Sequence, residues 1–122
     1  MPTRSELMQQ VLRNFTANTA DVEGAAVVSL DGLILASVLP AGTDEDRVSA
    51  MAAALLSLGE RTATELQRGT LDQVYVKGNS GYIILMQAGS EAVLETIAGP
   101  QSKLGMVLLD MKRAAQELGK LL

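Results

Sequence analysis

Hydrophobic and polar positions along this chain change period several times, and each change marks an element. Thr3-Arg4-Ser5-Glu6 has the form of a capping box, in which a hydroxyl covers a free helix N–H and the acid reaches back. Leu7, Met8, Val11, Leu12 and Phe15 then recur at helical spacing, and Asn18 and Asp21 stop the helix. One apolar stripe means one buried face. Residues 24–30 (GAAVVSL) and 33–39 (LILASVL) read as two short strands joined by Asp31-Gly32, the pair favoured in a type I′ turn with positive φ at both positions. These strands are apolar nearly throughout, so both of their faces are expected to be covered, by the chain or by a partner.

Pro40-Ala41-Gly42 breaks the second strand, and Thr43, Asp44, Glu45 and Asp46 open a long helix. The Thr43 hydroxyl is the expected cap, and the acids complement the positive end of the helix dipole. The helix is expected to run to Gln67 or Arg68, with Gly69 ending it. At 100° per residue Val48, Ala52, Leu55, Gly59, Thr62 and Leu66 share one face. Asp46, Ala50, Ala53, Ala54, Ser57, Arg61, Thr64 and Arg68 share the other, with Leu56 and Leu58 on the flanks. A surface helix is not apolar or small almost all round; a helix pressed from two sides is.

Residues 71–77 (LDQVYVK) alternate, residues 78–81 (GNSG) turn, and residues 82–88 (YIILMQA) return as a second hairpin. Residues 92–98 (AVLETIA) form a fifth strand, and Gly99-Pro100 punctuates. A last helix carries Leu104, Leu108, Met111, Ala115, Leu118 and Leu122 on one side, with Lys103, Asp110, Lys112, Arg113, Glu117 and Lys120 on the other. The order helix, two strands, helix, three strands, helix specifies one α/β (α+β) domain over residues 1–122. Its five-stranded sheet is mostly antiparallel, with helices on both faces.

Composition narrows the function classes. The 122 residues contain no Cys and no His, which removes thiol nucleophiles, disulfides, imidazole zinc sites and the usual neutral-pH general base. A net charge of −4 without a basic run argues against nucleic acid and anionic membrane. Phe15, Tyr75 and Tyr82 are the only aromatics, too few for a base-stacking platform. No apolar run reaches membrane-spanning length and the first residues do not form a signal peptide, so a cytoplasmic location and no direct membrane insertion are expected.

Residues 24–36 (GAAVVSLDGLILA), the Ala-rich helix over 51–67 running into Gly69, the 78–82 turn and the segment 102–108 (SKLGMVL) together resemble the roadblock/dynein light-chain family, in its bacterial MglB-like branch. The likeness covers nearly the whole chain. It implies a profilin-like αββαβββα fold and a homodimer in which third strands pair into a continuous sheet and long helices lie side by side. It also implies association with a small Ras-like GTPase and modulation of its GTP hydrolysis.

Candidate chemistry is sparse. The eleven glycines form neither a GxxxxGK[ST] loop nor a GxGxxG fingerprint, and Lys77-Gly78-Asn79-Ser80-Gly81 is better explained as a hairpin turn than as a phosphate cradle. Asp44, Glu45 and Asp46 fit dipole complements better than a cation site, and Glu91 and Glu95 have no partner acid or nucleophile nearby in sequence. Arg47, Arg61 and Arg68 suit solvated helix positions, with Arg61 placed to pair with Glu65, better than an arginine finger. No catalytic, cofactor or metal residue is therefore expected.

The small-residue face predicts contact instead. Ala50, Ala53, Ala54, Ser57, Leu58 and Arg61 are the expected GTPase-binding residues. Leu56 with Leu71, Gln73, Val74, Tyr75 and Val76 is the expected dimer interface, because an exposed apolar strand edge invites pairing. The leading expectation is a noncatalytic homodimeric adaptor for a small Ras-like GTPase. The alternative is a scaffold subunit of a larger motor or signalling complex without GTPase regulation. A small-molecule sensor is disfavoured by the scarcity of aromatics and polar anchors.

Overall fold

The computed structural model describes residues 1–122 and contains α1 (Arg4–Asn18), β1 (Val22–Ser29), β2 (Ile34–Val38), α2 (Glu45–Glu65), β3 (Gln73–Gly78), β4 (Gly81–Ala88), β5 (Ala92–Ala98) and α3 (Leu104–Leu121). All five strands join one sheet in the order β2-β1-β5-β4-β3, every neighbour antiparallel. The α+β architecture read from the sequence is the one observed.

Alternation along the strands sends side chains to two cores. Ala25, Val27, Ile84, Met86, Ala92 and Leu94 face α1 and α3, where they pack with Met8, Leu12, Phe15, Val107, Met111 and Leu118. Ala26, Val28, Leu85 and Val93 point the other way and pack with Ala52 and Leu56 of α2. The first core has 16 buried residues and the second six, so α2 is held by far less burial than α1 and α3.

Local chemistry sets the ends. The Thr3 hydroxyl accepts the Glu6 N–H at 3.1 Å, as the capping box requires. α2 is capped differently from the expectation: Asp44 accepts the Arg47 N–H, while the Thr43 hydroxyl donates to the Pro40 carbonyl at 2.6 Å. Pro40 thus ties Thr43 into the preceding turn and leaves the cap to the next residue. α2 ends at Glu65, and the chain leaves it through left-handed backbone at Gln67 (φ 56°) and Gly69 (φ 88°).

The β1–β2 turn also departs from the expected type I′. Only Gly32 has positive φ (87°). Its N–H donates to the Ser29 carbonyl, the Ser29 N–H to the Leu33 carbonyl, and the Leu33 N–H to the Ser29 hydroxyl. This is a three-residue connection with glycine in the left-handed position. A bulge follows, because Val27 pairs with Ala36 but Val28 with Ile34, which gives β2 one extra residue. At the other hairpin Gly81 is indispensable. Its φ is 142°, and a Cβ there would lie 2.2 Å from the Ala98 carbonyl oxygen.

Candidate interaction surface

α2 crosses one end of the sheet. Near its start, a Cβ on Gly32 would sit 3.7 Å from Ala50 Cα and Ala53 Cβ, so the β1–β2 turn lies along this flank. Near its end, a methyl on Gly59 would lie 2.9 Å from Val74 Cγ2 and 3.1 Å from Leu71 Cδ2. Glycine permits that close approach of helix to β3.

The sheet-facing residues are Ser49, Ala52 and Leu56. Leu56, expected at the dimer interface, is instead 6% exposed inside the protomer against Ala26, Val28, Leu85 and Val93. The helix sits rotated from the expected phase because Ser49 is small and its hydroxyl donates to the Asp46 carbonyl, which removes the cost of burying it. Ala50, Ala54, Ser57 and Arg61 are exposed, whereas Ala53 is half-buried beside Gly32. Leu58, expected on a flank of the helix and among the GTPase-binding residues, stands 61% exposed on a different stripe. Val48, Met51, Leu55, Leu58 and Thr62 follow each other at three- and four-residue steps on the flank away from the β1–β2 turn. Met51 is 53% exposed.

The part of the sheet that α2 leaves open carries Val76, Ile83 and Ile97, which line a shallow hollow of about 270 Å³. β3 forms the adjacent edge. Val74 packs beneath α2 with Leu71, which precedes the strand rather than belonging to it. Tyr75 and Val76 are exposed, and the Tyr75 hydroxyl donates to the Gln73 side-chain oxygen. The two edges of the sheet differ. On β2, Gln9 of α1 donates to the Ser37 carbonyl at 2.6 Å and accepts the Ser37 N–H at 3.3 Å, occupying that edge. Strand β3 has no such cover.

Glu95 lies in the central strand β5 between Ala26 and Leu85, on the α2 face of the sheet. It is 6% exposed, and its Oε1 has no hydrogen-bond partner. Burial raises its carboxyl from the ordinary 4.5 to about 7. Sequence reasoning passed over it as one strand acid among others. The available signal was the run of apolar neighbours in AVLETIA, which marks a strand buried on both faces.

The other charged candidates are local. Asp44 caps α2, Glu45 accepts the Ser37 hydroxyl at 3.2 Å, and Arg68 donates to the Leu66 carbonyl. The expected Arg61–Glu65 pair is not formed; the ion pair present is Arg113–Asp110 at 3.8 Å. A cleft of about 740 Å³ opens between α3 and the ends of β3 and β4. Among its lining residues only Leu71, Met86 and Ala115 are apolar, unlike a ligand pocket. No helix is long and apolar enough to cross a membrane.

The Roadblock/LC7 domain model matches residues 8–98. The uncharacterized protein MJ1340 of Methanocaldococcus jannaschii is 39% identical over 100 residues, covering 82% of this chain and 87% of that protein. Myxococcus xanthus MglB superposes with a TM-score of 0.89 at 20% identity, over 99% of this chain and 91% of that one. A structure described as MglB with tetrameric arrangement gives 0.90 at 22% identity over the same shares. Acanthamoeba castellanii profilin IA gives 0.63 at 17% identity, over 92% and 96%. The two-sided sheet, its element order and these likenesses agree, and the chain belongs to the Roadblock/LC7 domain family.

Proposed function

We propose that this protein is a noncatalytic homodimeric adaptor of the cytoplasm that binds a small Ras-like GTPase and modulates its GTP hydrolysis. One observation carries the reading. Met51 and Leu58 stand exposed on either side of the half-buried Leu55, beside an uncovered sheet surface and an unpaired β3 edge, while the top of α2 presents Ala50, Ala54, Ser57 and Arg61. The stripe and edge suit a second copy, since contiguous apolar surface of this kind marks association. The top of the helix, small and shallow, suits a different partner. Self-association also fits the tetrameric arrangement described for one MglB structure.

In this reading Gln73, Val74, Tyr75 and Val76 join the dimer, and Leu58 moves from the GTPase face to the dimer face. Arg61 acts as a contact residue, because a helix-held side chain is a poor arginine finger. Any effect on hydrolysis comes from differential affinity for the two states of the switch loops. The alternative, a scaffold without GTPase regulation, is one outcome of the same test.

The test combines sedimentation velocity with titration against small GTPases loaded with GDP or a GTP analogue. The native protein should be a dimer at micromolar concentration and prefer one nucleotide state. Leu58→Arg should give a folded monomer. Ala54→Arg should keep the dimer and lose the GTPase. Equal affinity for both nucleotide states leaves the scaffold reading, and a native protein that stays monomeric at high concentration refutes the dimer.

A further inference from the structure

The surface that a second copy would close has an unusual floor. Glu95 is buried on the same face of the sheet, two residues from Ile97 and diagonal to Ile83, the half-buried side chains that line the hollow. Its neighbours on every packed element are uncharged: Gly24, Ala26 and Val28 on β1, Ile83 and Leu85 on β4, Val93 and Ile97 on β5, and Val74 on β3. The α2 side chains packed on this face of the sheet, Ala52, Leu56 and the partly buried Leu55, are likewise uncharged. The charged groups on this face are Glu23, which lines the hollow together with Ile83 and Ile97, and Glu45, which is engaged with Ser37 two strands away; both carry the same sign as Glu95 and neither supplies a counter-charge.

A second copy would add another apolar layer. The stripe Val48, Met51, Leu55, Leu58 and Thr62 carries no charge, and Arg47 stands at its outer edge beside Met51. Removing water from above a carboxylate that lacks a cation or a full set of donors disfavours its ionised form. We propose that self-association of this protein is coupled to protonation of Glu95, so that each copy takes up a proton as the surface closes and the dimer tightens as pH falls. The inference rests on the dimer reading and deepens it.

The magnitude follows from linkage. The free protomer's carboxyl titrates at about 7. Closure that disfavours the ionised form raises that value further, so the dissociation constant climbs with pH through and above 7, by at most about a hundredfold per pH unit with both carboxyls of a dimer coupled. Below pH 6 the dependence flattens, because both states are already protonated.

Sedimentation equilibrium of the full chain at pH 6, 7 and 8 reads the dissociation constant directly, for the native protein and for Glu95→Gln. Dilution calorimetry of the native protein in two buffers of different ionisation enthalpy counts protons independently of any variant. The expected result is a dissociation constant that rises steeply with pH in the native protein and stays flat in Glu95→Gln. Proton release on dilution should be greatest just above pH 7, remain below one per copy, and fall towards zero below pH 6. A native dimer with a flat profile and no proton release overturns the proton coupling and leaves the dimer standing. A dimer that tightens as pH rises overturns it in favour of an Arg47–Glu95 pair between copies. A protein monomeric at every pH overturns both the coupling and the dimer reading.

Discussion

Replacing Glu95 by Gln should change how the folded protomer responds to pH, and the size of the effect can be worked out. In the native protein the carboxyl titrates at about 7 when folded, against 4.5 as its ordinary value. At ~1.36 kcal/mol per pKa unit that gap corresponds to roughly 3 kcal/mol. The sign follows from counting protons. Below pH 4.5 folded and unfolded chains both hold the proton, so the contribution to stability is fully present. As pH rises from 4.5 to 7 the unfolded chain has released the proton and the folded one retains it, so stability falls by up to ~1.36 kcal/mol per pH unit. Above 7 both have lost it and the loss is complete. Against a net stability of about 5–15 kcal/mol this is a large fraction. Urea unfolding followed by circular dichroism at pH 5, 6, 7 and 8 supplies the measurement, at two protein concentrations tenfold apart so that association separates from folding. The stability of the native protein minus that of Glu95→Gln should fall by about 2.5 kcal/mol from pH 5 to pH 8. The amide has its own burial cost, which shifts the variant's curve but adds no slope. Parallel curves for the two proteins would refute the assignment of a buried, unpartnered carboxyl.

Two further substitutions probe the packing. Gly81→Ala should cost ~3 kcal/mol or more, since the new methyl meets the Ala98 carbonyl oxygen at a backbone angle that L residues rarely adopt; thermal melts showing a shift of a degree or less would contradict this. Leu56→Ala should cost about 2–5 kcal/mol in chemical denaturation, whereas Leu58→Ala should leave protomer stability within ~0.5 kcal/mol; the reverse order would mean that α2 is rotated from the phase described.

Much of this fold was legible in the residues because several signals were redundant. The α1 cap, the β4 return after Gly78-Asn79-Ser80-Gly81 and the strand Ala92–Ala98 each combined a period with punctuation. The misreadings occurred where one signal had two physical solutions. Asp31-Gly32 suits a two-residue turn, but Ser29 accepts the Leu33 N–H and stabilises a longer one. Thr43 and Asp44 are both good caps, and the neighbouring Pro40 carbonyl decides between them. The phase of α2 was the hardest. A helix apolar at nearly every position has no unique wheel, so Leu56 and Leu58 could not be assigned to opposite surroundings without the sheet beneath them. Glu95 was hidden for a related reason: an acid in a strand usually reaches water, and its apolar neighbours on β1, β4 and β5 deny it that route.

The pairing of β5 governs the order in which this molecule can be assembled. β1 and β2 are joined by a short turn, as are β3 and β4, so each pair can form from its own stretch of chain. Yet β1 lies beside β5, with Ala26 and Glu95 roughly seventy positions apart in sequence. Closing that distance takes about four more doublings of loop length than a hairpin, or roughly 2.5 kcal/mol of extra chain entropy. During synthesis, the inner edge of β1 therefore stays open until β5 leaves the ribosome. Ala25 and Val27 stay uncovered longer, because Val107, Met111 and Leu118 emerge later still. A stalled or truncated chain that lacks β5 holds two hairpins with adhesive edges and nothing to join them. The strand that unites the halves is also the strand that carries the buried carboxyl, so sheet completion and burial of that group are a single event.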